Sequence, residues 1–192
     1  FQGALDPHTP IAQGWLRASQ RRLDKKLSKP YRPYHTHDRK EPLKPGQVYY
    51  TPWCDDAGHV LDDGTVARLG PDRFRWTAAE PNLDWITRQA AGLDVRIDDV
   101  SERVAALAVQ GPCSRALIQA VFDQDLSGLA YFGVVSGRLA GRRVDVSRTG
   151  YTGDLGFEIW MDREDALAVW DAILAHEPAY GVRPTGLLAL DV

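Results

Sequence analysis

The sequence predicts an α+β fold, antiparallel sheets with packed helices, and three observations carry that expectation. Short runs rich in β-branched and aromatic residues, separated by Gly and Asp turns, fill residues 47–77. Single helical segments then interrupt further strands without the regular strand–helix alternation of a parallel sheet. Finally, 44% of the 192 residues are hydrophobic and 26% charged, an ordinary globular balance that excludes disordered, collagen-like and coiled-coil classes.

Taken in order, Gln47–Cys54 (QVYYTPWC) has strand composition, Asp55-Asp56-Ala57-Gly58 reads as a turn, and His59–Leu61 resumes extended chain. Asp62-Asp63-Gly64 reads as a second turn, followed by strands over Thr65–Leu69 and Arg73–Thr77 on either side of Gly70-Pro71-Asp72. The expected result is an antiparallel meander. Pro81 suits a helix start, and Leu83, Ile86 and Ala90 form an apolar stripe ending at Gly92. Asp94–Ile97 and Ala105–Val109 read as strands, and Ser114 is placed to cap a short helix carrying Leu117, Ile118 and Val121. Gly133–Leu139 and Arg143–Ser147 read as a hairpin around Ala140-Gly141-Arg142, and Phe157–Met161 as another strand. Asp162 is then expected to cap a helix with Ala166, Val169, Trp170 and Ile173 on its apolar face.

Charge is unevenly distributed. Residues 1–48 hold ten Lys/Arg against four Asp/Glu, a balance of +6, so the remainder, with 13 basic and 22 acidic residues, is −9. The basic arm, with Tyr31 and Tyr34 interleaved, reads as a solvated extension on an acidic body, because no nucleic-acid motif accompanies it. Nucleic acid is not expected as a partner. Phe1-Gln2-Gly3 reads as a cleaved-tag remnant. Cys54 and Cys113 are too few for a disulfide framework, which makes a reduced cytoplasmic setting the expectation. No apolar run approaches the roughly 18 residues of a membrane span, and no membrane partner is expected.

Four local features carry chemistry. Asp62-Asp63, downstream of Tyr50, offers a proton acceptor or an electrostatic anchor for a cation, although Asp-Gly is also the commonest hairpin signal and the turn reading is favoured. In Ser147-Arg148-Thr149-Gly150-Tyr151-Thr152-Gly153-Asp154-Leu155-Gly156-Phe157-Glu158-Ile159, three glycines at a spacing of three suit a backbone lying close to a flat ligand, or a plain β-turn; both stand. The spacing fits neither a dinucleotide fingerprint nor a phosphate loop. Gln110-Gly111-Pro112 reads as a turn in which the Gln110 amide can also read a heterocycle edge. His35-Thr36-His37-Asp38 lacks further ligands at metal spacing, so no metal site is assigned.

In order and spacing, Tyr50-Thr51, Gly58, Asp62-Asp63, Arg68, Ala108-Val109-Gln110-Gly111-Pro112, the 147–159 stretch, and Gly181, Pro184, Gly186-Leu187, Ala189 and Asp191 form a recognisable set. Over residues 43–192 the sequence resembles the aminomethyltransferase family, to which the glycine-cleavage T-protein belongs. The resemblance implies a tetrahydrofolate-dependent transferase of methyl or aminomethyl groups. It places Glu158 and Tyr151 on the pterin, with Tyr50, Gln110 and Arg148 also among the cofactor-binding residues. Asp63 falls on the family's functional aspartate, and Asp62 is the alternative if the pair is shifted by one.

Two departures bear on the substrate. Trp76-Thr77-Ala78 stands where the T-protein has Val-Asn-Ala, and Leu190 replaces a channel arginine, removing a charge available to an anionic group. A demethylase acting on a small methylated donor is therefore included in the expectation, with a lipoyl carrier protein the less favoured partner. The rival reading is a non-catalytic folate-binding regulatory or assembly protein; it is disfavoured because Arg148-Thr149-Gly150-Tyr151 lacks that group's Lys-Gly-Cys-Tyr cysteine. The expected organisation is a basic segment over 1–42 and a folate-binding domain over 43–192, truncated at both ends relative to the family.

Overall fold

The computed structural model describes residues 42–186, which fall into two compact units divided after Ser101. The basic arm up to Glu41, the His35–Asp38 segment and Leu190 lie outside the described residues.

The first unit is a three-stranded antiparallel sheet, β1 (Val48–Cys54), β2 (Val60–Arg68) and β3 (Phe74–Ala78), in that order, followed by helix α1 (Leu83–Gln89). Its core gathers Trp53, Trp76, Ile86 and Ala90, with Trp53 and Trp76 edge-to-face at 4.8 Å between ring centroids. The Trp53 indole N–H donates to Asn82 Oδ1 at 3.3 Å, so its one polar atom is satisfied in the core. Arg68 ties the open end of the meander together, donating to the carbonyls of Leu43 and Gly70 and stacking over Phe74.

Two expectations fail here. Asp62-Asp63-Gly64 is not a turn: β2 runs through it unbroken, with Trp53 opposite Asp62, Pro52 opposite Asp63 and Thr51 opposite Gly64. Glycine stands at 64 because β3 approaches closely, since a Cβ there would lie 1.8 Å from the Thr77 carbonyl oxygen. Asp94–Ile97 is not a strand either. Its alternation buries part of Val95 and Ile97 against the tryptophan cluster, while no strand pairs with it among the described residues. Alternation there reports burial, not a ladder.

The second unit is a four-stranded antiparallel sheet of β4 (Val104–Gln110), β5 (Val134–Leu139), β6 (Arg142–Ser147) and β7 (Gly156–Asp162), in spatial order β4-β7-β6-β5. The β5–β6 hairpin turns through Ala140 and Gly141, at φ of 50° and 76°, the paired left-handed geometry that matches strand twist. Helices α2 (Ser114–Val121) and α3 (Ala166–Leu174) contribute to its core, and a short α4 (Glu177–Tyr180) follows. That core includes Leu117, Ile118, Val146, Phe157, Ile159 and Val169, all nearly or fully buried. Period-two alternation puts Phe157, Ile159 and Met161 of β7 in the core and leaves Gly156, Glu158 and Trp160 on the opposite face.

Neither expected cap forms. Ser114 is the first helical residue, and its hydroxyl donates to the Leu155 carbonyl, tying the helix to the loop before β7. Asp162 makes no capping bond. The Arg163 N–H continues the β4–β7 pairing to Arg103 O, so the strand runs through Asp162 and a 3₁₀ turn, Arg163–Asp165, precedes α3. On α3, Val169 and Ile173 are buried while Trp170 sits at the rim.

Candidate functional site

The sequence-identified residues form one group in each unit. In the first, strand parity separates the two aspartates. Asp62 shares the tryptophan face, where its carboxylate accepts from Asn82 Nδ2 at 2.7 Å, the Glu80 N–H at 3.2 Å and the Asp63 N–H at 2.7 Å. Three donors, from the β3–α1 connection and its own strand, engage Asp62 as a structural anchor. Asp63 points to the other face and is exposed; the Tyr50 hydroxyl donates to its Oδ2. Thr65 and Thr77 hydroxyls, 2.6 Å apart, lie on that same face. It is a polar surface with one carboxylate oriented by a phenol.

In the second unit, Glu158 projects from the face of β7 opposite the core, half-buried between Ala108 on β4 and Ser147 on β6. Its Oε2 accepts the Thr149 hydroxyl at 2.5 Å, and the Thr149 hydroxyl is 2.8 Å from that of Ser147. No protein donor reaches Oε1 among the described residues. Tyr151, 89% exposed, sits in the β6–β7 loop.

Gln110 and Arg148 have other work. The Gln110 amide nitrogen lies 3.4 Å from Thr149 O and 3.3 Å from Phe157 O, and its Oε1 accepts from the Thr152 hydroxyl at 3.4 Å. A Cβ at Gly150 or Gly156 would come within 2.1 or 1.6 Å of Gln110 Oε1. Two of the three loop glycines therefore make room for Gln110, which braces the loop. Arg148 donates from Nη1 to Leu129 O at 3.2 Å, and its backbone pairs with Phe132 and Gly133. It anchors the 129–133 loop.

A sequence profile described as the GCVT N-terminal domain matches residues 35–192. The chain belongs to the GCVT N-terminal domain family. It is 40% identical over 154 residues to an aminomethyltransferase of Geobacillus thermodenitrificans, a match covering 78% of this chain and 42% of that protein. This GCVT chain thus spans about two fifths of the length of the curated relatives it matches. Among solved structures it is similar to the glycine cleavage system aminomethyltransferase T of Bartonella henselae, with a TM-score of 0.67 and 26% identity over 78% of this chain and 40% of that one. The heterotetrameric sarcosine oxidase of Corynebacterium sp. U-96 shares the fold at a TM-score of 0.61 and 15% identity, covering 96% of this chain and 82% of that one.

Sequence reasoning missed Thr149, Ser147 and Asn82 as partners of the named carboxylates. Each lies within or beside a quoted motif, yet hydroxyl and amide side chains gain a role only when cross-strand register brings them to a carboxylate. Among the described residues, no group of three or more His, Cys, Asp or Glu is placed to hold a metal, and no helix is long and apolar enough to cross a membrane.

Proposed function

We propose that the full-length protein is a tetrahydrofolate-dependent one-carbon transferase that moves an aminomethyl or methyl group from a small donor, including demethylation of a methylated compound. The observation that carries this reading is Glu158: a carboxylate with one oxygen fixed by a hydroxyl and the other without a protein donor fits the adjacent N–H groups of a pterin edge. Tyr151, exposed on the β6–β7 loop, offers an aromatic body to pack on the ring. When bound, tetrahydrofolate supplies the nitrogen nucleophile that receives the one-carbon unit.

The chain's own residues then have distinct tasks. Glu158 accepts ligand hydrogens and fixes orientation. Asp63, held by the Tyr50 hydroxyl, stays available as a carboxylate that stabilises positive charge on a donor nitrogen or receives its proton. Asp62 holds the β3–α1 connection in place behind it.

The reading is tested by calorimetry of tetrahydrofolate binding to the full-length protein, paired with a donor panel scored by the mass of the product folate. Glu158→Ala is expected to weaken binding by about a hundredfold, a loss calorimetry can still measure, and Asp63→Asn to bind and lose turnover. Asp62→Ala is expected to lower the melting temperature. Equal affinity in wild type and Glu158→Ala would refute the assignment, whereas binding without transfer from any donor would support the non-catalytic alternative.

A further inference from the structure

The Glu158 carboxylate is held by an arrangement that restricts which ligand edge it accepts. Thr149 is 4% and Ser147 3% exposed, so neither hydroxyl has water as its ready partner. An ionised carboxylate only accepts, and a hydroxyl has a single hydrogen. The 2.5 Å contact to Glu158 Oε2 therefore takes the Thr149 hydrogen, and the Ser147 hydrogen goes to Thr149 at 2.8 Å in preference to the Glu158 carbonyl at 3.4 Å. The hydrogen bonds run one way, from Ser147 through Thr149 to Glu158. The Thr149 backbone is fixed in turn, because its carbonyl accepts from the Gln110 amide braced against Gly150 and Gly156.

The donor's neutrality matters as much as its position. Arg148 lies between Ser147 and Thr149 in sequence, but its guanidinium reaches Leu129 O, and Glu158 makes no ion pair among the described residues. A neutral hydroxyl fixes the carboxylate without cancelling its charge, so Oε1 retains its full capacity to accept charge-assisted hydrogen bonds. We propose that Thr149, supported by Ser147, is a positioning residue that locks Glu158 Oε2 and presents Oε1 as the acceptor for the N–H edge of a reduced pterin. The inference rests on the tetrahydrofolate reading above and adds to it a residue to which the sequence motif assigned no role.

The experiment measures tetrahydrofolate affinity by calorimetry, and melting temperature, for the full-length wild type, Thr149→Val, Thr149→Ser, Glu158→Ala and the Thr149→Val/Glu158→Ala double variant. Thr149→Val keeps the side-chain volume and removes the donor. It is expected to weaken binding by about tenfold, the scale of one charge-assisted hydrogen bond. Thr149→Ser is expected to recover affinity to within about twofold of wild type. In the Glu158→Ala background, Thr149→Val is expected to add no further loss, because the hydroxyl acts only through the carboxylate. Full affinity in Thr149→Val alongside lost affinity in Glu158→Ala would overturn the positioning role and leave the folate reading intact. Thr149→Ser as weak as Thr149→Val, or additive loss in the double variant, would also overturn it by showing a structural role. Wild-type affinity in Glu158→Ala would instead overturn the folate reading itself.

Discussion

Replacing Gly64 by alanine tests the continuous β2 strand that orients Asp63. A Cβ at this position would meet the Thr77 carbonyl oxygen at 1.8 Å and its carbon at 2.9 Å. Both are backbone atoms of the adjacent strand, so no side-chain rotation relieves the clash and β2 must separate from β3 by more than 1 Å. A displacement of that size breaks the ladder around the Gly64–Ala78 and Thr65–Thr77 pairs. Two ladder bonds at about 1 kcal/mol each, with about 1–2 kcal/mol of overpacking, give a loss of about 3–4 kcal/mol. That is a large fraction of the about 5–15 kcal/mol typical of a domain. Urea denaturation of wild type and Gly64→Ala, compared at equal slope, measures it. Gly64→Asn discriminates the alternatives: an Asp-Gly turn with left-handed glycine accepts asparagine, whereas a glycine under a neighbouring carbonyl does not. Gly64 has no positive φ, so Asn is expected to destabilise at least as strongly as Ala. A change below about 0.5 kcal/mol in Gly64→Ala, or tolerance of Asn alone, would refute the close-approach argument.

Gly156→Ala is expected to displace Gln110, whose Oε1 would lie 1.6 Å from the new methyl group, and with it the support of Thr149. Removing the obstacle in Gln110→Ala/Gly156→Ala is expected to cost less than the sum of the single substitutions, measured as a coupling energy by denaturation. The carboxyl of Asp123 is held below its ordinary value near 3.8, chiefly by the Arg138 backbone N–H and also by the Gln124 amide. Its folded form therefore releases its proton more readily than the unfolded chain, so its contribution is complete above pH about 3.9 and is lost as pH falls through the lower folded value. Asp123→Asn is expected to flatten that acid limb of the stability–pH profile; an unchanged slope would remove Asp123 as its source.

The parts of the fold that were legible in the sequence are those whose signals are local. The β5–β6 hairpin is marked by Ala140-Gly141 at its turn, and β7 by alternation from Phe157 to Met161. The misread elements depend on atoms far along the chain. Asp62-Asp63-Gly64 has the strongest local turn signal in the chain, but Thr77, 13 residues after Gly64, supplies the carbonyl that makes glycine necessary in a strand. The bracing contacts of Gln110 are likewise invisible locally, because its partners, Thr149 and Phe157, are 39 and 47 residues away.

The same distinction explains why the candidate carboxylates could be named before their surroundings could be separated. Residue type and spacing identify Glu158 and the Asp62-Asp63 pair, but a one-residue ambiguity in a strand is a choice between opposite faces. Register resolves it, because Asp62 lies opposite Trp53 and is engaged by Asn82 and the Glu80 backbone, while Asp63 emerges beside Tyr50. Asp63 is thus oriented by the Tyr50 hydroxyl and the half-buried Glu158 by that of Thr149. A cationic donor at either place would cancel the negative charge that a neutral hydroxyl leaves in place.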